Sequence, residues 1–126
     1  MRIFKTKQFD KLAGKVGLID AALIKAAKEV ATGLAGDALG GNLYKKRIAR
    51  IGAGKSRGYR TVLIYRTKPQ DIFFIYCFAK NERSNVGREE LIALRLLEKE
   101  FSNFSNADID TAIREGELSE LTYEDE

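Results

Sequence analysis

Three stretches of this chain carry the side chains best suited to chemistry. Tyr44-Lys45-Lys46-Arg47-Ile48 places Lys45 and Arg47 two residues apart, Gly58-Tyr59-Arg60 offers an arginine beside a tyrosine, and Lys80-Asn81-Glu82-Arg83-Ser84-Asn85-Val86 adds Lys80 and Arg83. On an extended strand, side chains two apart share a face, so Lys45 and Arg47 point together. If the three stretches lie on neighbouring antiparallel strands, their cations converge on one surface. Guanidinium groups bind phosphate oxygens in pairs and stabilise charge that develops on phosphorus, while a second cation or a tyrosine handles protons. Such a face suits phosphodiester chemistry.

Other catalytic engines are excluded by composition. The chain has 126 residues, no histidine, no tryptophan and one cysteine. Without histidine there is no Ser-His-Asp or Cys-His triad, and with one thiol there is no His/Cys metal cluster. Cys77 lies inside an apolar run and reads as a small buried hydrophobe. Gly54-Lys55-Ser56 ends like a phosphate-binding P-loop, but Ala49 stands where that motif needs glycine, and a strand rather than a helix follows. The pairs Glu89/Glu90 and Glu98/Glu100 read as solvated positions of a helix.

The net charge of +4 hides two unlike parts. Residues 1–100 hold 21 basic and 10 acidic side chains, a balance of +11, whereas residues 101–126 hold one and eight, a balance of −7. Between Ala38 and Gln70 nine cations occur and no acid. A block of that purity favours a polyanionic partner. The longest apolar run, Ile72 to Ala79, is eight residues, far short of the ~20 that span a bilayer. With no apolar stretch near Met1 either, the expectation is a soluble cytoplasmic domain with no membrane partner.

The elements that must position the cations follow from periodicity. Met1 to Lys5 predicts a short edge strand, and Lys7 to Gly14 a short helix stopped by Gly14 and Gly17. Asp20 is placed as the N-cap of a second helix, whose stripe is Leu23, Ala26, Ala27, Val30 and Leu34. Leu43 to Ile51, Arg60 to Thr67 and Ile72 to Lys80 predict a three-stranded antiparallel meander, with the last strand central and buried on both faces. Gly52 to Gly58 reads as a basic loop between the first two of these strands. A helix from about Gly87 buries Leu91, Leu94, Leu97 and Phe101. Ser105 and Asp108 form a capping box that opens a last helix, and Gly116 ends it. The acidic segment from Glu117 follows, with Leu118, Leu121 and Tyr123 as its apolar contacts. The class is α+β, in one domain.

The order strand, helix, helix, meander, helix, together with Tyr44-Lys45-Lys46-Arg47-Ile48, Gly58-Tyr59-Arg60 and Lys80-Asn81-Glu82-Arg83-Ser84-Asn85-Val86, resembles the RelE/HigB family of type II toxins. The resemblance covers about Lys5 to Phe101, and the tail looks like that of a HigB-type subgroup. It implies a RelE-like fold: a small antiparallel sheet built from a short N-terminal strand and the meander, with helices packed on it. Residues 1–104 would be the toxin domain, and 105–126 a C-terminal helix and acidic extension of the same domain. Also implied is a metal-free ribonuclease without cofactor that cuts messenger RNA on the ribosome and is silenced by a cognate antitoxin.

Carried over by position, Arg60 corresponds to the arginine that holds the scissile phosphate, and Lys45 and Arg47 to catalytic lysines, with Lys46 in place of Lys45 if the register slips. Lys80 and Arg83 complete the catalytic set, and Lys46, Arg50, Lys55, Arg57, Tyr59 and Asn81 are expected to bind RNA. Asn81 and Gly87 stand where the family has an arginine and a tyrosine, so Tyr65 or Tyr76 enters as a substitute. Two other readings share the fold or the charge: a ParE-like gyrase-inhibiting toxin, and a non-catalytic RNA-binding module. The acidic tail is expected to fold near the cationic face, to add to the antitoxin surface, or to fray in solvent.

Overall fold

A computed structural model of the chain describes residues 1–50 and 54–124, with backbone alone for 54–57. Strand β1 (Arg2–Thr6) leads into helices α1 (Lys7–Val16) and α2 (Asp20–Ala31). Strands β2 (Asp37–Ala38), β3 (Leu43–Arg50), β4 (Gly54–Thr67) and β5 (Gln70–Ala79) follow, then helices α3 (Arg88–Ser102) and α4 (Asn106–Arg114) and strand β6 (Leu118–Leu121). The class is α+β, as expected. Among the described residues no helix is long and apolar enough to cross a membrane.

The sheet has six strands in the order β2-β3-β4-β5-β1-β6. The meander β3-β4-β5 is antiparallel, and β5 lies inside the sheet, apolar toward both faces. On one face α1 and α2 pack Phe9, Leu23, Ala27 and Val30 against Ile48, Leu63, Ile72 and Phe74. On the other, α3 and α4 pack Leu94, Phe101 and Ile109 against Val62, Ile64, Phe73 and Ile75. Two hydrophobic layers therefore clamp β4 and β5 from both sides, and these strands form a rigid base for any side chain on them.

The sheet is mixed rather than antiparallel throughout, and β1 is not an edge. It runs parallel to β5 on one side and pairs antiparallel with β6 on the other. The adjacent pair Ile3 and Phe4, both fully buried, sends one side chain into each hydrophobic layer, as a strand covered on both faces does. The tail, correspondingly, does not lie over the cationic strands. Leu118 and Leu121 are buried in opposite layers, and β6 closes the sheet at the edge farthest from β2 and β3.

Local chemistry moves several boundaries. The hydroxyl of Thr6 accepts from the Phe9 N–H at 3.1 Å and caps α1, which runs through Gly14 and stops at Gly17, where φ is 77°. Ile19, not Asp20, is the N-cap of α2; Asp20 instead takes a hydrogen bond from Lys5 at 2.9 Å. That helix ends at Ala31, so Leu34 leaves the predicted stripe and is 61% exposed. Strand β4 starts at Gly54, inside the predicted loop; residues 52–53 of that loop, and residue 51 at the end of the first predicted meander strand, lie outside the described residues. The reciprocal bonds of Ser105 and Asp108 form the capping box of α4.

Candidate active site

Register places the predicted cations. Across β3, β4 and β5 one row reads Lys45, Val62, Tyr76, and the next reads Arg47, Arg60, Phe78. Alternation turns Lys46 and Ile48 toward α2, so Lys45 and Arg47 point to the opposite face, together with Arg60 and Tyr76. The register depends on Gly58: a Cβ built there would stand 2.0 Å from the Ile48 carbonyl oxygen, beside the irregularity between Ile48 and Arg50. The glycine of Gly58-Tyr59-Arg60 is thus a close-approach residue that lets β3 and β4 pair where the two arginines meet.

Arg60 is 4% exposed, and burial and the nearby charge of Arg47 both make its protonation less favourable than usual. A phosphate bridging two guanidinium groups placed this way would be bound by both. Arg47, on β3 beyond its short pairing with β2, is exposed.

Beside this pair the segment after β5 folds into a dense network. The Arg83 guanidinium donates from Nε to the Asn85 carbonyl (3.1 Å), from Nη1 to Tyr76 Oη and to Glu90 Oε2 (both 3.0 Å), and from Nη2 to the Asn85 carbonyl (2.9 Å) and Glu90 Oε1. Glu90 accepts two further bonds, from Tyr76 Oη and from the Gly87 N–H at 2.8 Å. These donors hold the Glu90 carboxyl well below its usual range, at about 2, with Arg83 the main cause. Burial and the bond to Glu90 push the Tyr76 phenol up, so it stays protonated at neutral pH. Asn85 extends the network to β3 by accepting from Lys45 Nζ at 3.2 Å.

The remaining predicted residues are dispersed. Lys80 and Asn81 are exposed in the turn after β5, where the Lys80 N–H donates to the Gly58 carbonyl. Lys46, Arg50 and Tyr59 belong to the face of α1 and α2. Lys46 is 5% exposed and its ammonium binds Glu29 (3.0 Å) and the Leu34 carbonyl (2.8 Å), a structural commitment away from the cationic face. Tyr59 is buried with its hydroxyl on the Val16 carbonyl, and the Arg50 guanidinium lies 5.9 Å from its ring. Tyr65 packs on that same side. The side chains of Lys55 and Arg57 lie outside the described residues.

Two charged residues take roles that periodicity does not reveal. Glu90 reads as a solvated helix position, yet it is the third residue of α3, where the motif x-x-Glu after a helix start signals a capping carboxylate. Arg66, counted in the acid-free block, is buried against Asp71 at 2.7 Å and donates to the Phe104 carbonyl at 2.6 Å. Among the described residues no group of three or more His, Cys, Asp or Glu side chains could hold a metal ion.

Comparison with known proteins agrees with this architecture. No curated protein matches the sequence. A family model described as the RelE toxin of the RelE / RelB toxin-antitoxin system matches residues 1–121, from the first strand to the end of β6. The chain therefore belongs to the RelE toxin family of toxin–antitoxin systems.

Proposed function

We propose that this toxin, whose family membership implies an antitoxin partner, is a metal-free endoribonuclease that cuts messenger RNA on the ribosome. The observation that carries the reading is the cross-strand pairing of Arg47 with Arg60 on the face that also bears Lys45 and Tyr76. The scissile phosphate would sit between the two guanidiniums, its non-bridging oxygens taking their N–H groups. The RNA's own 2′-hydroxyl attacks phosphorus and loses its proton, the P–O5′ bond breaks, and the 5′-oxygen leaves as a hydroxyl. A 2′,3′-cyclic phosphate remains on the upstream fragment. Lys45 and Tyr76, in the adjacent cross-strand row of the same face, are the proton-bearing groups this reading assigns, and charge stabilisation with positioning supplies the rate without histidine.

Primer extension on translating ribosomes tests this. Wild type is expected to cut mRNA, and Arg60→Ala to lose cleavage and growth arrest while keeping its fold. Continued cleavage by Arg60→Ala contradicts the site. Growth arrest with intact mRNA and broken DNA points to gyrase poisoning instead, and RNA binding without cleavage to a plain binding module.

A further inference from the structure

We propose that Arg83 and Glu90 are positioning residues which hold the Tyr76 hydroxyl and, through Asn85, the Lys45 ammonium on the cationic face, so that Tyr76 and Lys45 rather than Arg83 meet the RNA. The inference rests on the nuclease reading and reassigns the arginine predicted to be catalytic. Arginine has five N–H donors, and in Arg83 each has an acceptor within the protein: two bonds to Asn85, two to Glu90 and one to Tyr76. A phosphate could be bound by Arg83 only by displacing these partners. Arg60 and Arg47 are cross-strand partners on the cationic face.

Glu90 is the hub. Its four bonds join the N-terminus of α3, the Arg83 guanidinium and the Tyr76 phenol. The Gly87 bond is the reciprocal half of a helix cap, which anchors the carboxylate to the rigid start of α3. The opposite end of that helix is fixed as well, because Arg66 donates to carbonyls of Phe101 and Phe104. The Arg83 guanidinium also lies 5.1 Å from the Phe78 ring, next to Arg60 in the sheet. A helix held at both ends thus fixes the orientation of a tyrosine hydroxyl and, one residue further, of a lysine ammonium. Small errors of placement at a reacting centre are costly, on the order of a hundredfold in rate per ångström.

The test measures kcat and KM for cleavage on translating ribosomes with the full-length wild type, Glu90→Gln, Arg83→Ala, their double variant and Tyr76→Phe. Glutamine at the third helical position retains the capping bond, and thermal melting checks each fold. Glu90→Gln and Arg83→Ala are expected to lower kcat by about 10- to 100-fold with KM unchanged. The double variant should fall no further than the worse single one, as for residues acting as a unit. A second readout needs no RNA: phenolate absorbance should show the Tyr76 ionisation, identified by its loss in Tyr76→Phe, moving to lower pH in Glu90→Gln. If Arg83→Ala instead raises KM at constant kcat while Glu90→Gln leaves kcat intact, Arg83 is a phosphate ligand and the proposal fails. An unmoved Tyr76 ionisation also overturns it. A wild type that cuts no RNA sinks the nuclease reading, and the titration still decides whether Glu90 orders Tyr76.

Discussion

Arg47 of β3 and Arg60 of β4 are direct cross-strand partners, two like charges held side by side on one face of the sheet. Opposed like charges cost a strand pair up to about 1 kcal/mol, and burial of Arg60 makes the arrangement costlier than an exposed pair. An anion bridging the two would offset that repulsion. Arg47→Gln should therefore raise the melting temperature slightly while reducing RNA cleavage. Inorganic phosphate should stabilise wild type more than Arg47→Gln in the same melting experiment, and equal responses would remove the bridging role.

Arg66 and Asp71 make a different use of charge. They are cross-strand partners on β4 and β5, nearly dry, with Arg66 also reaching the end of α3. Removing one member of such a buried pair leaves the other charge uncompensated, at a cost of about 3–5 kcal/mol. Asp71→Ala is expected to lower the urea midpoint by a matching amount. Because α3 carries Glu90, the variant should also loosen the Arg83 network, visible as faster amide exchange at Gly87 and Leu91.

How far the sequence foretells this molecule depends on which interactions are local. Period-two and period-3.6 patterns locate the meander, the buried faces of α2 and α3, and the shared face of Lys45 and Arg47, because these depend only on neighbours along the chain. The parallel pairing of β1 with β5 and the docking of β6 on β1 join residues more than 60 positions apart, and no local pattern encodes them. The same holds at the site. Lys46 and Lys45 are chemically alike and adjacent, yet one sits in the α2 layer bound to Glu29, because alternation has no way to name which face is wet. Glu90 escapes notice since its three side-chain and backbone donors, Arg83, Tyr76 and Gly87, assemble only when the turn after β5 closes.

Cys77 offers a prediction about pH. Burial pushes its thiol from the ordinary 9.0 up to about 12, so the folded chain keeps a proton that the unfolded chain releases above pH 9. Its contribution to stability is therefore complete below pH 9 and declines between pH 9 and about 12. Urea midpoints should fall along that limb in wild type and fall less in Cys77→Ala. Native protein at pH 8 should resist alkylation by iodoacetamide, and prompt labelling of folded protein would show the thiol to be accessible.

The acidic tail separates charge from packing. Glu120 on β6 forms a two-point ion pair with Arg2 of β1, both contacts at 2.9 Å, rather than facing the cationic strands. From β6 to β4 is three strand spacings and to β3 four, about 14 and 19 Å at ~4.8 Å each. Both exceed the Debye length of about 8 Å at physiological ionic strength. Neutralising Glu117 and Glu124 together should leave RNA affinity and its salt dependence unchanged at 150 mM salt. Arg47→Gln, by comparison, should flatten the salt slope by about one. Leu118, 2% exposed among Phe4, Ile109 and Ala112, matters for a different reason. Leu118→Ala should cost about 2–5 kcal/mol in urea unfolding, since it opens a cavity where β6 closes the sheet. A tail that served only as an electrostatic appendage would show the reverse: affinity altered by the neutralised glutamates, and stability indifferent to Leu118.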